Sequence, residues 1–451
     1  MKRTLNAESV KNIGKEIKVC GWVDSRRDHG GIVFLDLRDR TGLLQIVSSA
    51  KLSESIRNEY VLEVLGTVQE RPEKMKNPNL ETGSVELKAS VIKILSQAHS
   101  LPFDLADLDL SLPTLLDNRP LVLRNEKIRA ILKIEEGIVS AFRKSMESLD
   151  FTGFESPVIV PHNAEGGAEV FKIDYYGRNA YMAQSPQLYK QIMVTAFERV
   201  FTVNRVFRAE PSVTTRHLSE YVSLDAELGF IDSWEEIMDV CEKMFLDIFN
   251  ELKKNCSKEL KLLGAVLPEV RKIPRIKMRE AQEIIFERTK RDNRKEPDLE
   301  PEDEKEICLW AKEKYGSEMV FITHYPVKKR PFYAQPDDKD PGYTLSFDLL
   351  FKGLEIVTGG QRINEYEKLL KNIKKWGNKP EQFSFYLQAF KYGMPPEGGF
   401  AVGLERVVKQ VLGLSNVREA SPFPRDMERI DERLSLGKKK AVRKKTSKKK
   451  K

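Results

Sequence analysis

The sequence predicts an α+β chain, with a small all-β barrel followed by a larger domain in which helices flank an antiparallel sheet. Three observations predict it. Short strand-like runs punctuated by Gly, Asn and Pro fill residues 16–95. Residues 125–149 then place apolar side chains at helical spacing. Beyond them strands and helices mix without the regular alternation that marks a parallel sheet. At 451 residues the chain has room for two or three domains. The sequence divides into a barrel at 1–97, a hinge at 98–122, the larger domain at 123–430 and a Lys-rich tail at 431–451.

The barrel strands are "EIKVCGWVDSRR", "GGIVFLDLRD", "GLLQIVSS", "EYVLEVLGTVQE" and "GSVELKASVIKIL", with the helix-like "AKLSESIRNE" between the third and fourth. Five strands with one intervening helix suggest an OB-fold, a module that often holds single-stranded nucleic acid. Phe34 and Gln45 fall on consecutive strands. An outward Phe34 stacks a base and Gln45 reads its edge; an inward Phe34 is core. Arg26 and Arg27 are candidate phosphate contacts or a solvated hairpin, and Glu86 is a further candidate.

The hinge "SQAHSLPFDLADLDLSLPTLLDNRP" holds three prolines and no sustained period. After the amphipathic helix from Asn125 to Leu149, long helical patterns recur at 234–262 and 278–315. No apolar run approaches the ~20 residues that span a bilayer. The basic N-terminus lacks the apolar core of a signal peptide. Four scattered cysteines read as reduced thiols of a cytoplasmic protein. The last fourteen residues carry ten Lys or Arg and no acid. Removing those ten charges from the net +8 leaves −2 for residues 1–437. Such a tail is expected to be disordered, as a solubilising segment or a polyanion tether.

Five stretches carry the chemistry. In "HNAEGGAEVF", Glu165 precedes two glycines and suits an amino group. In "QSPQLYKQIM", Ser185 and Pro186 open a helix, with Gln187 and Lys190 one turn apart on one face. "FRAEPSVTTRHLSEYVSLDAEL" sets Arg208 and Glu210 two apart, as on one face of a strand. It then crosses a loop with Arg216 and His217 to a strand with Tyr221 and Asp225 on one face. "LSFDLLFKGLEIVTGGQRI" places Asp348 and Glu355 on consecutive strands, as Mg²⁺ beside phosphate requires, and ends on Arg362. "GGFAVGLERV" turns a strand into a helix with Arg406 in its first turn.

Together these stretches resemble the class II aminoacyl-tRNA synthetases. The long helix ending in "FESPVIVP", with Pro157, resembles their dimer-interface motif, and "FRAE…TTRHLSEYVSLDAEL" and "GGFAVGLERV" resemble the two that follow. Within the class, "AEGGAEVF", "AQSPQLYKQ", "GLEIVTGGQRI" and "SPFPRD" are most similar to compact archaeal-type aspartyl-tRNA synthetases, over about residues 15–428. "RRDHGGIVFLDLRDRTG" looks more like the bacterial barrel.

The resemblance implies a cytoplasmic homodimer that uses ATP and Mg²⁺ to join L-aspartate to tRNA-Asp. It implies Arg208 on the α-phosphate, Glu210 on the adenine amino group, and Arg216 and His217 on the γ-phosphate side of ATP. Tyr221 and Arg406 would cover the two faces of adenine. Arg208 and Arg406 would be the catalytic pair. Asp348, Glu355 and Thr358 would hold Mg²⁺. Lys190 and Arg362 would hold the aspartate carboxylate, with Gln187, Thr358 and Arg208 nearby and Glu165 on its amino group. Arg26, Arg27, Phe34, Gln45 and Glu86 would meet the anticodon. Asp24 lies where the family's choice between tRNA-Asp alone and tRNA-Asp with tRNA-Asn varies, and both outcomes stay open.

Three alternatives compete. An asparaginyl enzyme would bury Lys190 and Arg362 against an uncharged amide, a mismatch able to cost ~10⁴-fold. An asparagine-forming amide ligase would have no use for the barrel. A non-catalytic RNA-binding relative would not need Arg208, Arg406 and the carboxylate pair.

Overall fold

The computed structural model describes residues 1–106, 108–162, 169–211, 214–269, 272–431 and 433–434. The chain divides between Asp104 and Leu105 into two compact units.

The first unit is a closed five-stranded barrel. Its strands run Glu16–His29, Ile32–Asp39, Gly42–Ser49, Val85–Ser96 and Val61–Glu70 in spatial order. Alternation sends Val33, Leu35 and Leu37, then Leu44 and Ile46, into a core with no exposed surface. The first strand closes the barrel. Trp22–His29 pairs with Ile32–Asp39 and Glu16–Trp22 with Val61–Glu70, with an irregularity between Val23 and Ser25. Gly30 and Gly31 join the first hairpin with positive φ at both positions, the two-residue turn that matches strand twist. The helical run expected after the third strand shrinks to Ala50–Ser53, capped by Ser49.

The second unit is built on an eight-stranded sheet. Its order is Arg275–Lys277, Met319–Thr323, Ser346–Phe351, Leu354–Gln361, Glu397–Gly403, Glu220–Gly229, Arg199–Phe207 and Thr152–Gly153. The six inner strands are antiparallel, as expected. The two outermost pairs are parallel, so the sheet is mixed. Each parallel pair is joined by a long connection through helices, which a parallel return requires.

Helices Glu126–Ser148 and Glu235–Asn255 pack against each other. Asn125 caps the first by accepting from Lys127 N and Ile128 N. The run expected over 234–262 breaks at Cys256, giving a separate helix Ser257–Leu262. The run over 278–315 also divides, into Met278–Thr289 and Pro301–Tyr315. Lys290 turns left-handed after the first, and the second starts on Pro301. The stretch read as a hinge carries two short helices, Leu112–Asp117 and Arg119–Val122. Arg119 is buried there and donates to the carbonyls of Pro422 and Ser421 at 2.8 and 2.6 Å.

Candidate active site

Two adjacent antiparallel strands, Arg199–Phe207 and Glu220–Gly229, begin the site. Arg208 follows the first strand immediately. It and Glu210 are therefore not strand neighbours, as the sequence suggested, but lie in the loop beyond the strand end. Arg208 Nη1 is 3.9 Å from Glu210 Oε1, and its guanidinium lies 5.5 Å from the Tyr221 ring centre. Farther along the loop, Arg216 donates to the Gly353 carbonyl at 2.9 Å and pairs with Glu304. His217 Nδ1 lies 2.6 Å from the Thr214 hydroxyl. Burial first, and then the neighbouring Arg406 charge, holds His217 below the usual imidazole range.

Strand Glu397–Gly403 runs into helix Leu404–Leu412, whose first turn carries Arg406. Arg406 Nη1 donates to the Glu355 carbonyl at 3.0 Å and lies 3.3 Å from its carboxylate. One cavity gathers Arg208, Arg216, His217 and Tyr221 from the first strand pair and its loop. Glu355, Thr358 and Arg406 reach it from the opposite side. Glu210 and Asp348 are not part of its lining.

Asp348 and Thr358 are direct cross-strand partners, while Glu355 stands opposite Leu350 across an irregularity in the pairing. Arg330, which the sequence reading missed, reaches both partners: its Nη2 is 2.8 Å from Asp348 Oδ2, and its Nη1 donates to Thr358 Oγ1 at 2.9 Å. Burial pushes the Asp348 carboxyl up, the Arg330 charge opposes it, and the result is about 6. Asp348 Oδ1 is buried outside hydrogen-bonding geometry with every described group.

Tyr221, Ser223, Asp225 and Glu227 alternate along one face of their strand, carrying the cavity into a closed polar network. Helix Gln187–Phe197 covers it. Ser185 Oγ accepts from Gln187 N at 3.1 Å, which starts the helix with Gln187 and Lys190 facing inward. Lys190, 1% exposed, lies 3.0 Å from both Asp225 and Glu227. Arg362 Nε meets Glu227 Oε1 at 2.8 Å, and its Nη2 donates to the Gly399 carbonyl at 3.0 Å. Gln187 joins the same carboxylate at 3.3 Å.

The two cations expected to wait for a substrate carboxylate are therefore already paired inside the protein. Burial alone would raise Glu227, but Arg362 and Lys190 outweigh it and hold the carboxyl down at about 2. Behind it Glu397 is pushed well above the usual carboxylate range, first by burial and then by Glu227. Gln191 donates to Glu397 at 2.6 Å and accepts from the Tyr386 hydroxyl at 3.1 Å. Gly399 permits the arrangement. A Cβ there would lie 2.1 Å from Glu227 Oε2 and from the Ala226 carbonyl.

Sequence reading gave Glu227 no role and missed Gln191, Glu397, Arg330 and Glu304. Only Glu227 carried a signal, the period-two continuation of Tyr221 and Asp225. Glu165 lies outside the described residues.

On the barrel, Phe34 is partly exposed on the outer face, opposite Arg27 across the strand pair, so it is not core. Arg27 bonds Asp36 at 2.8 Å and Arg26 pairs with Asp28. Gln45 faces Asp36 and donates to Glu86 at 3.0 Å. Asp24 lies 3.5 Å from Arg38.

The chain belongs to the tRNA synthetases of class II (D, K and N), which it matches over residues 111–427; residues 17–95 match the OB-fold nucleic acid binding domain. Individual relatives narrow that class. Aspartate–tRNA(Asp/Asn) ligase of Deinococcus radiodurans is 42% identical over 442 residues, covering 95% of this chain and 99% of its own. Aspartate–tRNA(Asp) ligase of Pyrococcus furiosus is 41% identical, covering 92% and 96%. Among solved structures, asparaginyl-tRNA synthetase from Pyrococcus horikoshii complexed with asparaginyl-adenylate superposes with a TM-score of 0.85 at 29% identity, covering 93% and 97%.

Proposed function

We propose that this chain attaches L-aspartate to tRNA-Asp through an aspartyl-adenylate. The observation that carries this reading is the buried pair Lys190 and Arg362, set beside Gln187 at the inner end of the strand face that lines the cavity. Asp225 and Glu227 already balance these two charges, so the pair offers a substrate side chain donors held at fixed positions. The preference for aspartate over asparagine rests on the relatives of high identity named aspartate ligases, against the asparaginyl enzymes that share the fold.

The aspartate α-carboxylate is already ionised, so the first step needs no general base. Its oxygen attacks the α-phosphorus of ATP, the bond to the β-phosphate oxygen breaks, and pyrophosphate leaves. Arg208 neutralises charge on the α-phosphate, and Tyr221 and Arg406 clamp the adenine between them, with Glu210 on its amino group. Arg216 and His217 take the γ-phosphate side. Catalysis is positioning with charge stabilisation. A ribose hydroxyl at the tRNA 3′ end then attacks the aspartyl carbonyl and AMP leaves.

Asp348, Glu355 and Thr358 supply hard oxygen donors, and the unbonded Asp348 Oδ1 fits a cation. These residues would hold Mg²⁺, which neutralises triphosphate charge when bound. Phe34, Gln45, Arg26, Arg27 and Glu86 meet the anticodon. Helix Glu126–Ser148 with Pro157 forms the interface of a cytoplasmic homodimer. Glu165 takes the substrate amino group.

A second reading, charging of tRNA-Asn as well, is favoured by the relatives named tRNA(Asp/Asn) ligases in Deinococcus radiodurans and Thermus thermophilus. Aminoacylation with [¹⁴C]aspartate on separate tRNA-Asp and tRNA-Asn transcripts tests both. Charging of tRNA-Asp alone supports the strict form, and charging of both the relaxed one. Charging of neither, with aspartate-dependent ATP–pyrophosphate exchange intact, removes the tRNA assignment.

A further inference from the structure

A second cavity of about 790 Å³ lies in the catalytic unit and shares no lining residue with the first. Its volume suits a small ligand or a few units of a chain. Five cations line it, Arg279, Arg294, Lys295, Lys328 and Lys375, against the single carboxylate of Glu296. The two arginines are engaged: Arg279 lies 4.3 Å from the centre of the Tyr343 ring, and Arg294 bonds Asp292 at 2.9 Å. Lys328 and Lys375 form no ion pair with a described residue, and Lys295 acts on Asp292 only through space. They come from three separate segments, so the fold, and not a local run, assembles them. Trp376 closes the wall and is 36% exposed.

A lining with five cations against one carboxylate creates a potential that draws a polyanion. A cationic groove combined with an aromatic platform is the pairing that holds single-stranded nucleic acid, with phosphates on the charges and bases on the rings. The groove also borders the catalytic machinery. Pro326, Val327 and Lys328 line it, and Arg330, two residues on, reaches Asp348 and Thr358.

We propose that this groove binds a short unpaired stretch of the tRNA, with phosphates on Lys295, Lys328 and Lys375 and a base on Trp376. The proposal rests on the aminoacylation reading. Two variants test it, Lys295→Glu/Lys375→Glu and Trp376→Ala, each assayed for tRNA KM and for aspartate-dependent ATP–pyrophosphate exchange, which uses no tRNA. Each variant is expected to raise the tRNA KM about tenfold with exchange unchanged. In the double variant the salt dependence of that KM falls by about 1.4 in log–log slope, two phosphates at ~0.7 each.

An unchanged tRNA KM in both variants overturns the proposal. So does loss of exchange alongside aminoacylation, which makes the groove wall structural. An effect of the lysines without one of Trp376 replaces the RNA strand by a phosphate-only site. Absence of exchange in the unaltered protein is a different result, because it removes the aminoacylation reading beneath the proposal.

Discussion

The catalytic cavity and the polar network behind it both gather arginines and carboxylates, yet they are built in opposite ways. In the cavity, the Arg208 side chain is 41% exposed, with the Glu210 carboxylate 3.9 Å away. In the network, Arg362 is sheathed by Glu227 and the Gly399 carbonyl, and Lys190 by two carboxylates. The first arrangement keeps the Arg208 head exposed to an incoming triphosphate, while Arg216 and Arg406 are held by Glu304 and Glu355. The second fixes each charge so that an incoming group meets a set geometry. Pairing a buried charge is itself close to neutral for stability, whereas leaving one unpaired is costly. The network is therefore read best as a device for selection.

The sharpest way to break the comparison is to remove one buried cation. Arg362→Met leaves Glu227 short of its strongest partner. It is expected to abolish aspartate-dependent ATP–pyrophosphate exchange and to destabilise the protein by about 3–5 kcal/mol, measured by denaturant unfolding. Adding Glu227→Gln to that variant should restore much of the stability and none of the exchange. Restored exchange would mean that the network is structural only. Arg208→Ala on the exposed side should behave differently. It is expected to lower the exchange rate about 10²–10³-fold with unfolding unchanged. A matching loss of stability would erase the contrast.

A smaller effect is expected on the barrel. Phe34→Ala removes an outward ring, so it should raise the tRNA KM about tenfold while leaving exchange and melting intact. A lowered melting temperature would return Phe34 to the core.

The smallest effect is a slope. Glu405 is buried and accepts from Val222 N at 3.1 Å, and burial pushes its carboxyl up to about 8. Below that pH the folded chain keeps a proton that the unfolded chain releases above about 4.5. Stability should therefore fall as pH rises from about 4.5 and level off above about 8. Glu405→Gln should flatten that fall, visible as a few degrees of melting temperature between pH 6 and 9. An identical slope in both proteins would show that Glu405 is not the proton's holder.

The contrast also marks what could be seen before the structure. The cavity residues were legible because they sit in short stretches with recognisable spacing: Arg208 to Tyr221 in one, Glu355 to Thr358 in another. The barrel was legible because its strands alternate cleanly around a closed core. The partners of those residues were not legible. Glu304 sits among the acids opening a charged helix, with nothing in the sequence to set it apart, until the fold sets it against Arg216 from a distant loop. Glu397 follows two prolines with no periodic neighbour to betray its burial. Sheet direction failed only at the edges, because a parallel return is decided by long connections and not by the strand's own residues. The hinge hid Arg119, since nothing nearby announces the carbonyls of Ser421 and Pro422 that hold it.

Gly399 has a consequence for how this protein can change over time. Even the smallest side chain at that position would collide with the oxygen of Glu227 that faces Lys190. Alanine therefore sets the lower bound of the harm, and every larger residue exceeds it. A descendant that adapts its substrate choice has to do so around a fixed point, by altering Gln187 or the carboxylates and not by adding a side chain at Gly399, where Glu227 and the Ala226 carbonyl already stand.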